Sequence, residues 1–153
     1  MTAETTTAHG YVLAPDQGER IDNLMLRVLS GDAQNGGTFS ASVVSNPGPG
    51  GPPLHTHASV DEAYFVLKGR YLFQIDDVVA EGGPGTFAFV PRGTSHTFAS
   101  AGPDEGQMLS FTLPSTEQFV RGISALQEQG INQQAMLDHF GAYDTSIDGP
   151  PLM

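Results

Sequence analysis

Residues 52–66 read PPLHTHASVDEAYFV and bring three metal-binding side chains, those of His55, His57 and Glu62, close together in the chain. The segment has the pattern of a strand, a tight turn and a second strand. Side chains alternate between the two faces of a strand, so His55 and His57 lie on one face, roughly 6 to 7 Å apart along it. The two imidazoles can therefore converge on one point, where we expect a metal ion.

The chain has 153 residues and no cysteine. This length suffices for one domain that buries about two-thirds of its unfolded surface. Without cysteine there is neither a disulfide nor a thiolate ligand, so a metal must be bound by imidazole and oxygen donors. The sequence also shows no long apolar run and no signal-peptide pattern. These features predict a cytoplasmic protein without a membrane segment.

Seventeen acidic and six basic side chains give a net charge of −11. This charge weighs against nucleic acid and anionic membranes as partners. The bases are scattered along the chain, whereas phosphorylated or sugar-nucleotide ligands usually require clustered cations. Folding can still bring Arg70 and Arg92 together. We expect the partner to be a small, poorly charged molecule.

Short apolar segments separated by glycine, proline and aspartate predict β-strands on both sides of the opening stretch. In residues 37–45, Ala41 and Val43 fall on one face and Ser40 and Ser42 on the other, which predicts a strand with one face in water. No helical period interrupts these strands, and this favours an antiparallel barrel or sandwich. The predicted strands lie at residues 24–29, 37–45, 52–57, 62–68, 71–75, 86–90, 96–98 and 107–113.

The C-terminal part changes to a helical period. The sequence STEQ at residues 115–118 matches a capping box, and a second, shorter helix is predicted at residues 132–140. We expect both helices to cover the outside of the barrel, with His139 as a surface or packing residue. The predicted organisation is a flexible tail at residues 1–10, a β-barrel at residues 11–114, and helices with a closing extended segment at residues 115–153.

Two motifs give the chain a specific resemblance. The first is His55-x-His57-x4-Glu62-x6-Gly69, and the second, Gly85-x5-Pro91-x-Gly93-x2-His96, supplies a third histidine. Together they resemble the paired motifs of the cupin superfamily, with Ser100 and Pro49 departing from its usual Asn and Gly. The resemblance implies an all-β, single-domain cupin barrel of the double-stranded β-helix or jelly-roll type, with a C-terminal helical segment.

The resemblance implies that His55, His57, Glu62 and His96 bind one divalent transition metal ion per chain. This donor set accepts Fe, Mn, Ni, Co, Cu or Zn and leaves two octahedral positions open. Glu62 can be a permanent ligand or a mobile catalytic base that takes a proton from a bound hydroxyl group. Its neighbour Asp61 is predicted to face the other way by strand alternation.

A pocket above the metal is predicted from the same alternation. It places Tyr64 and Val66 on the face of Glu62, and Phe98 on the face of His96. Further aromatic side chains that can line this cavity are Phe73, Phe87 and Phe89. A mostly apolar cavity above a metal suits a flat organic molecule with an oxygen donor.

Three functions are compatible with these features. The first is a dioxygenase similar to quercetinase-like cupins, in which Glu62 removes a proton from an enolic or phenolic oxygen and dioxygen attacks the activated ring. The second is a non-redox enzyme similar to the zinc-dependent cupin cyclases of aromatic polyketides or to cupin isomerases. The third is a small-molecule-binding protein without catalysis. The resemblance also implies a homodimer.

Overall fold

A computed structural model describes residues 9–153. In this part of the chain, the strands are β1 (Glu19–Ile21), β2 (Leu26–Ser30), β3 (Ser40–Asn46), β4 (Pro53–His57), β5 (Asp61–Lys68), β6 (Tyr71–Ile75), β7 (Val78–Gly82), β8 (Phe87–Val90), β9 (His96–Ser100), β10 (Gly106–Leu113) and β11 (Thr145–Pro151). The helices are α1 (Asp32–Asn35), α2 (Glu117–Glu128) and α3 (Gln133–Ala142), with a 3-10 turn at Asp22–Leu24. Most of the predicted tail at residues 1–10 lies outside the described residues.

The strands form two antiparallel sheets. One has the order β1-β2-β3-β10-β5-β8 and the other β11-β4-β9-β6-β7, so successive strands such as β4 and β5 belong to different sheets. The predicted all-β barrel with a C-terminal helical segment is therefore confirmed. The sequence pattern does not predict the short strand β1 or the exposed strand β7.

The core lies between the two sheets. Strand β5 shows how the sequence builds it, because Tyr64 and Val66 point inward and are buried, whereas Phe65 and Leu67 are exposed. Val66 packs with Met108, and both are fully buried. Burial of side chains of this kind contributes about 1.5–3 kcal/mol each.

Strand β3 is oriented differently from the prediction. The face with Ser40 and Ser42, predicted to be in water, points into the barrel and lines an internal cavity. On the opposite side Ala41 and Val43 are buried as well. Alternation shows that two faces of a strand differ in polarity, but it does not show which of them faces an interior cavity.

The C-terminal helices form part of the wall of the internal cavity. The prediction that they cover the outside of the barrel is wrong, because Phe119 and Ile123 of α2 and Phe140 of α3 line this cavity. The predicted capping box is only half formed: the Glu117 N–H donates to Ser115 Oγ at 3.2 Å, but the Gln118 side chain donates to Asp32 and does not return to Ser115. The helix start is instead fixed to the barrel, since the Thr116 backbone N–H lies 3.2 Å from Ser40 Oγ.

The end of the chain returns to the barrel as β11, which pairs with β4 and so lies beside the histidine-bearing strand. The extended segment predicted after the helices thus forms the last part of strand β11. His139 packs against α2, with its ring stacked on Phe119 and its Nε2 atom 2.8 Å from the Phe119 carbonyl oxygen. No helix in residues 9–153 is long and apolar enough to span a bilayer.

Candidate metal centre

The four predicted ligands come from three strands of both sheets. His55 and His57 lie on β4, His96 begins β9, and Glu62 lies on β5 of the other sheet. His55 and His96 are directly opposite each other in the β4–β9 pair. The turn before β9 is held in place by Gly93, whose N–H donates to the His57 carbonyl oxygen at 2.8 Å.

The four side chains converge in the interior. Their potential ligand atoms all lie within 4.8 Å of one another. Glu62 is 7% exposed and His96 is 2% exposed. The two oxygens of Glu62 contact different histidines, with Oε1 3.3 Å from His57 Nε2 and Oε2 2.7 Å from His96 Nε2. Asp61 faces away from this cluster and accepts hydrogen bonds from Arg92.

The outer nitrogen of each histidine is bound by the surrounding protein. His55 Nδ1 lies 2.8 Å from the Pro53 carbonyl oxygen, and His96 Nδ1 lies 2.9 Å from that of Thr94. Carbonyl oxygens only accept, so both Nδ1 atoms carry hydrogen. The Nε2 atoms are thereby directed towards the cluster, as in histidine ligands whose outer nitrogen is fixed by a hydrogen bond.

His57 is oriented by a residue that sequence reasoning missed. Its Nδ1 lies 2.8 Å from Thr145 Oγ1, and this hydroxyl group donates to the Tyr143 carbonyl oxygen at 3.1 Å. The Thr145 oxygen is therefore an acceptor for the Nδ1 hydrogen of His57. The contact joins residues that are 88 positions apart in sequence, so no local pattern could predict it.

The electrostatic environment favours the metal-binding forms of Glu62 and His55. Burial alone would raise the pKa of Glu62, but hydrogen bonds from His57 and His96 outweigh burial and lower this pKa well below its usual range. Burial, followed by the nearby charge of His96, lowers the pKa of His55 to about 4. At neutral pH, Glu62 is thus a carboxylate and His55 a neutral imidazole, the protonation states that metal binding requires.

His96 shows the opposite shift. Burial alone would lower its pKa, but the hydrogen bond to Glu62 raises it. The Nε2 proton is donated to Glu62 Oε2, and a cation bound by both side chains would replace this proton. Three imidazoles and one carboxylate, with their outer atoms fixed, fit a mononuclear divalent transition metal.

Tyr64 adds a further contact to the carboxylate. Its hydroxyl group donates to Glu62 Oε2 at 2.5 Å, and the side chain is buried. Burial, followed by the negative charge of Glu62, raises the pKa of Tyr64 well above its usual value. The phenol is therefore protonated at neutral pH and acts as a donor.

A cavity of about 200 Å³ lies beside the cluster. His55, His57 and Glu62 form part of its wall, so the cluster opens directly onto it. Among the described residues, no lysine or arginine lines it. Its apolar lining consists of Ile21, Leu26, Val28, Val44, Pro52, Pro53, Phe98, Phe119, Val120, Ile123 and Phe140.

The predicted pocket residues separate into three groups. Tyr64 and Phe98 line the cavity, whereas Val66 and Phe73 belong to the packed core behind it. The prediction that Phe87 and Phe89 of β8 line the cavity is wrong. Both side chains lie on the outside of the barrel, where Phe87 is 65% exposed and Phe89 is 53% exposed.

The register between β5 and β8 explains this error. Phe87 pairs with the outward-facing Phe65, and Ala88 pairs with the inward-facing Tyr64. Directly paired residues in adjacent strands share a face of the sheet. The side of β8 that enters the barrel therefore carries Ala88 and Val90, which are buried.

A comparison with protein families matches residues 42–112 to the cupin domain, and this range contains all four predicted ligands. Residues 42–112 are thus a cupin domain. No curated protein sequence matches this cupin.

Solved structures share the fold at low sequence identity. KdgF from Halomonas sp. is 16% identical with a TM-score of 0.55, over 61% of this chain and 82% of that one. A predicted oxalate decarboxylase from Thermotoga maritima is 19% identical with a TM-score of 0.55, over 58% and 78% of the two chains. The Schizosaccharomyces pombe Cnp3 cupin domain is 17% identical with a TM-score of 0.54, over 81% and 82%. These similarities establish the fold.

The lysine and arginine side chains lie outside the cavity, and four of the six have acidic partners: Lys68, Arg70, Arg92 and Arg121. Arg70 pairs with Glu81 and Arg92 pairs with Asp61, in separate exposed contacts. The two arginines therefore do not form a joint phosphate-binding site. A largely apolar cavity whose described lining includes Glu62 and Glu117 but no lysine or arginine side chain is suited to an uncharged molecule that presents an oxygen atom to a metal.

Proposed function

We propose that this cupin is a mononuclear metal-dependent enzyme acting on a small, largely apolar molecule with an enolic or phenolic oxygen, as a dioxygenase of the quercetinase-like type. The observation that carries the proposal is the buried cluster of three imidazoles and a carboxylate that opens onto an apolar cavity. A divalent transition metal would supply Lewis acidity towards the substrate oxygen and, if redox-active, electron transfer with dioxygen.

The residues of the chain have distinct roles in this proposal. His55, His57 and His96 hold the metal, and Glu62 binds it or takes the proton from the substrate hydroxyl group. Tyr64 donates to Glu62 Oε2 and fixes the direction of the carboxylate. The apolar wall, with Phe119 of α2 beside His57, orients the ring of the substrate and limits water near the reacting atoms.

The size of the cavity narrows the substrate class. Its volume of about 200 Å³ lies below the roughly 300–1,000 Å³ that is usual for pockets of drug-sized ligands. We therefore favour compounds of one or two rings over the larger three-ring flavonols. The absence of cationic side chains from the described lining favours a substrate without phosphate.

The test is elemental analysis of the purified protein, followed by oxygen-uptake measurements with small enols and catechols after reconstitution with single metals. The proposal predicts one iron, nickel, cobalt, copper or manganese ion per chain and oxygen consumption that depends on it. Metal-loaded protein that binds such compounds without consuming oxygen or converting them would contradict it and favour the non-catalytic binding protein.

A non-redox cyclase or isomerase is the second candidate. It is favoured by the hydrogen-bonded group of Tyr64, Glu62 and His96, which can move a proton between two positions of a substrate without dioxygen. Turnover by zinc-loaded protein under anaerobic conditions would support this reaction class. Under air, turnover by a dioxygenase consumes oxygen, whereas turnover by a cyclase or isomerase does not.

Self-association is a further proposal. Four exposed apolar side chains on β5 and β8, Phe65, Leu67, Phe87 and Phe89, form an uncharged patch on a chain of net charge −11. Two acidic chains repel each other least where no charge is present. We therefore place the homodimer contact at this patch. The cytoplasmic location stays a prediction.

A further inference from the structure

The inner face of the six-stranded sheet carries its side chains in three rows across β5, β10 and β3. The first row contains Glu62, Thr112 and Ser40; the second contains Tyr64, Ser110 and Ser42; the third contains Val66, Met108 and Val44. The rows thus change from the candidate metal ligand, through hydroxyl groups, to apolar side chains. Successive rows are about 7 Å apart along the strands.

The hydroxyl groups of the first row bind one another. Ser40 and Thr112 share a short hydrogen bond, and both contact Thr116 at the start of α2. In the second row, Tyr64 is engaged by Glu62. These groups are satisfied by the protein and leave little capacity for a ligand.

Ser42 and Ser110 differ from these neighbours. They face each other directly across β3 and β10, and both line the cavity. Within the described part of the chain, neither hydroxyl group makes a hydrogen bond to protein, and both side chains are only half-buried because they open into the cavity. When a ligand displaces water from an apolar cavity, two such hydroxyl groups lose free energy unless the ligand supplies partners.

We propose that Ser42 and Ser110 form a second binding subsite that recognises a hydroxyl or carbonyl oxygen of the substrate. This inference rests on the proposed function, in which the other end of the substrate presents its enolic or phenolic oxygen near Glu62. A serine hydroxyl group both donates and accepts, so the pair can bind either kind of oxygen. The substrate class is then a small uncharged ring compound with two oxygen functions roughly 8 Å apart, because Ser110 lies one row along and one strand across from Glu62.

Two matched probes test the subsite: 4-propylcatechol and 4-(2-hydroxyethyl)catechol, which have the same number of heavy atoms and differ only in a terminal methyl or hydroxyl group. Their binding to zinc-loaded protein is measured by calorimetry without oxygen, so that turnover does not interfere. We expect wild-type protein to bind the hydroxyethyl compound at least threefold more tightly, since each hydrogen bond changes affinity roughly threefold to tenfold.

Ser42→Ala and Ser110→Ala, singly and combined, should each reduce this preference, and the double variant should bind the propyl compound more tightly. The exposed residue Ser59 provides the control, and Ser59→Ala should keep the wild-type preference. The preference is the ratio of the affinities for the two probes, and a small folding defect lowers both affinities alike. The zinc content of each variant verifies that the metal site is intact.

The outcomes separate this inference from the proposed function. A double variant that binds zinc and both probes with the wild-type preference would overturn the subsite and leave the proposed function standing. Zinc-loaded wild-type protein that binds neither probe would overturn both.

Discussion

The hydroxyl group of Tyr64 donates a 2.5 Å hydrogen bond to Glu62 Oε2, two residues earlier on the same strand. The same oxygen atom is 2.7 Å from His96 Nε2. The direction of the carboxylate is therefore set by β5 itself and by the opposite sheet. This contact provides the first test of the proposed mechanism.

Tyr64→Phe removes the hydrogen bond and keeps the ring that packs against Phe73. We expect metal content near that of wild type and a loss of kcat of about tenfold, in line with the effect of groups that orient a metal ligand. Steady-state kinetics with metal analysis measures both. Tyr71→Phe is the matched control, because Tyr71 donates to Asn46 at a distance from the cluster. Equal losses in the two variants would contradict a specific role for Tyr64.

His96→Ala removes one of the four candidate ligands. We expect most bound metal to be lost, while the barrel remains folded with a loss of about 1–3 kcal/mol in the free energy of unfolding, because Glu62 loses a buried hydrogen-bond partner. Elemental analysis and denaturant unfolding measure these effects. His9→Ala is the control at an exposed histidine outside the cluster. Full metal retention in His96→Ala would remove His96 from the site.

Glu62→Gln distinguishes a ligand from a base. The amide keeps the size of the side chain but cannot take up a proton at neutral pH. We therefore expect this variant to retain more metal than His96→Ala and yet to lose turnover by at least a hundredfold, the lower end of the contribution of general base catalysis. Unchanged turnover would exclude Glu62 from proton transfer.

Thr145→Val tests the acceptor behind His57. The substitution preserves the shape of the side chain but leaves the His57 Nδ1 hydrogen without its partner. Loss of such a contact lowers metal affinity roughly 10- to 100-fold. Competition with a chromogenic chelator measures the affinity. Thr38→Val, at an exposed threonine, provides the control and should bind metal like wild type.

The exposed aromatic residues of β8 test self-association. Phe87→Ser combined with Phe89→Ser should convert a dimer into a monomer without changing metal content, because both side chains lie outside the cavity. Light scattering after gel filtration gives the mass of each protein. A wild-type protein that is already monomeric at micromolar concentration would disprove the proposed contact.

Three of the four candidate metal ligands could be predicted because their signal is local, whereas the prediction of His96 depends on the second motif. His55 and His57 are alternate residues of one strand, and Glu62 follows after a turn, so spacing alone constrains their positions. The side of β5 that faces the interior could be predicted as well, because Tyr64 lies on the same face as Glu62. A candidate ligand within a strand therefore identifies the face that enters the barrel.

The rest of the cavity could not be predicted because it depends on contacts between distant segments. Strand β8 contains no ligand, and only its register with β5 places Phe87 outside. The apolar spacing of Phe119 and Ile123 predicts a helix with an apolar face but does not identify its partner. Thr145 reaches His57 only after β11 has joined the second sheet.

The distribution of the four donors over both sheets has a consequence for the apoprotein. A cation held by β4, β9 and β5 would act as a cross-link between the two halves of the barrel. Mass action then makes the resistance of the fold to heat depend on the concentration of free metal. The supply of the ion in the cell would thus set both the catalytic competence and the lifetime of the protein.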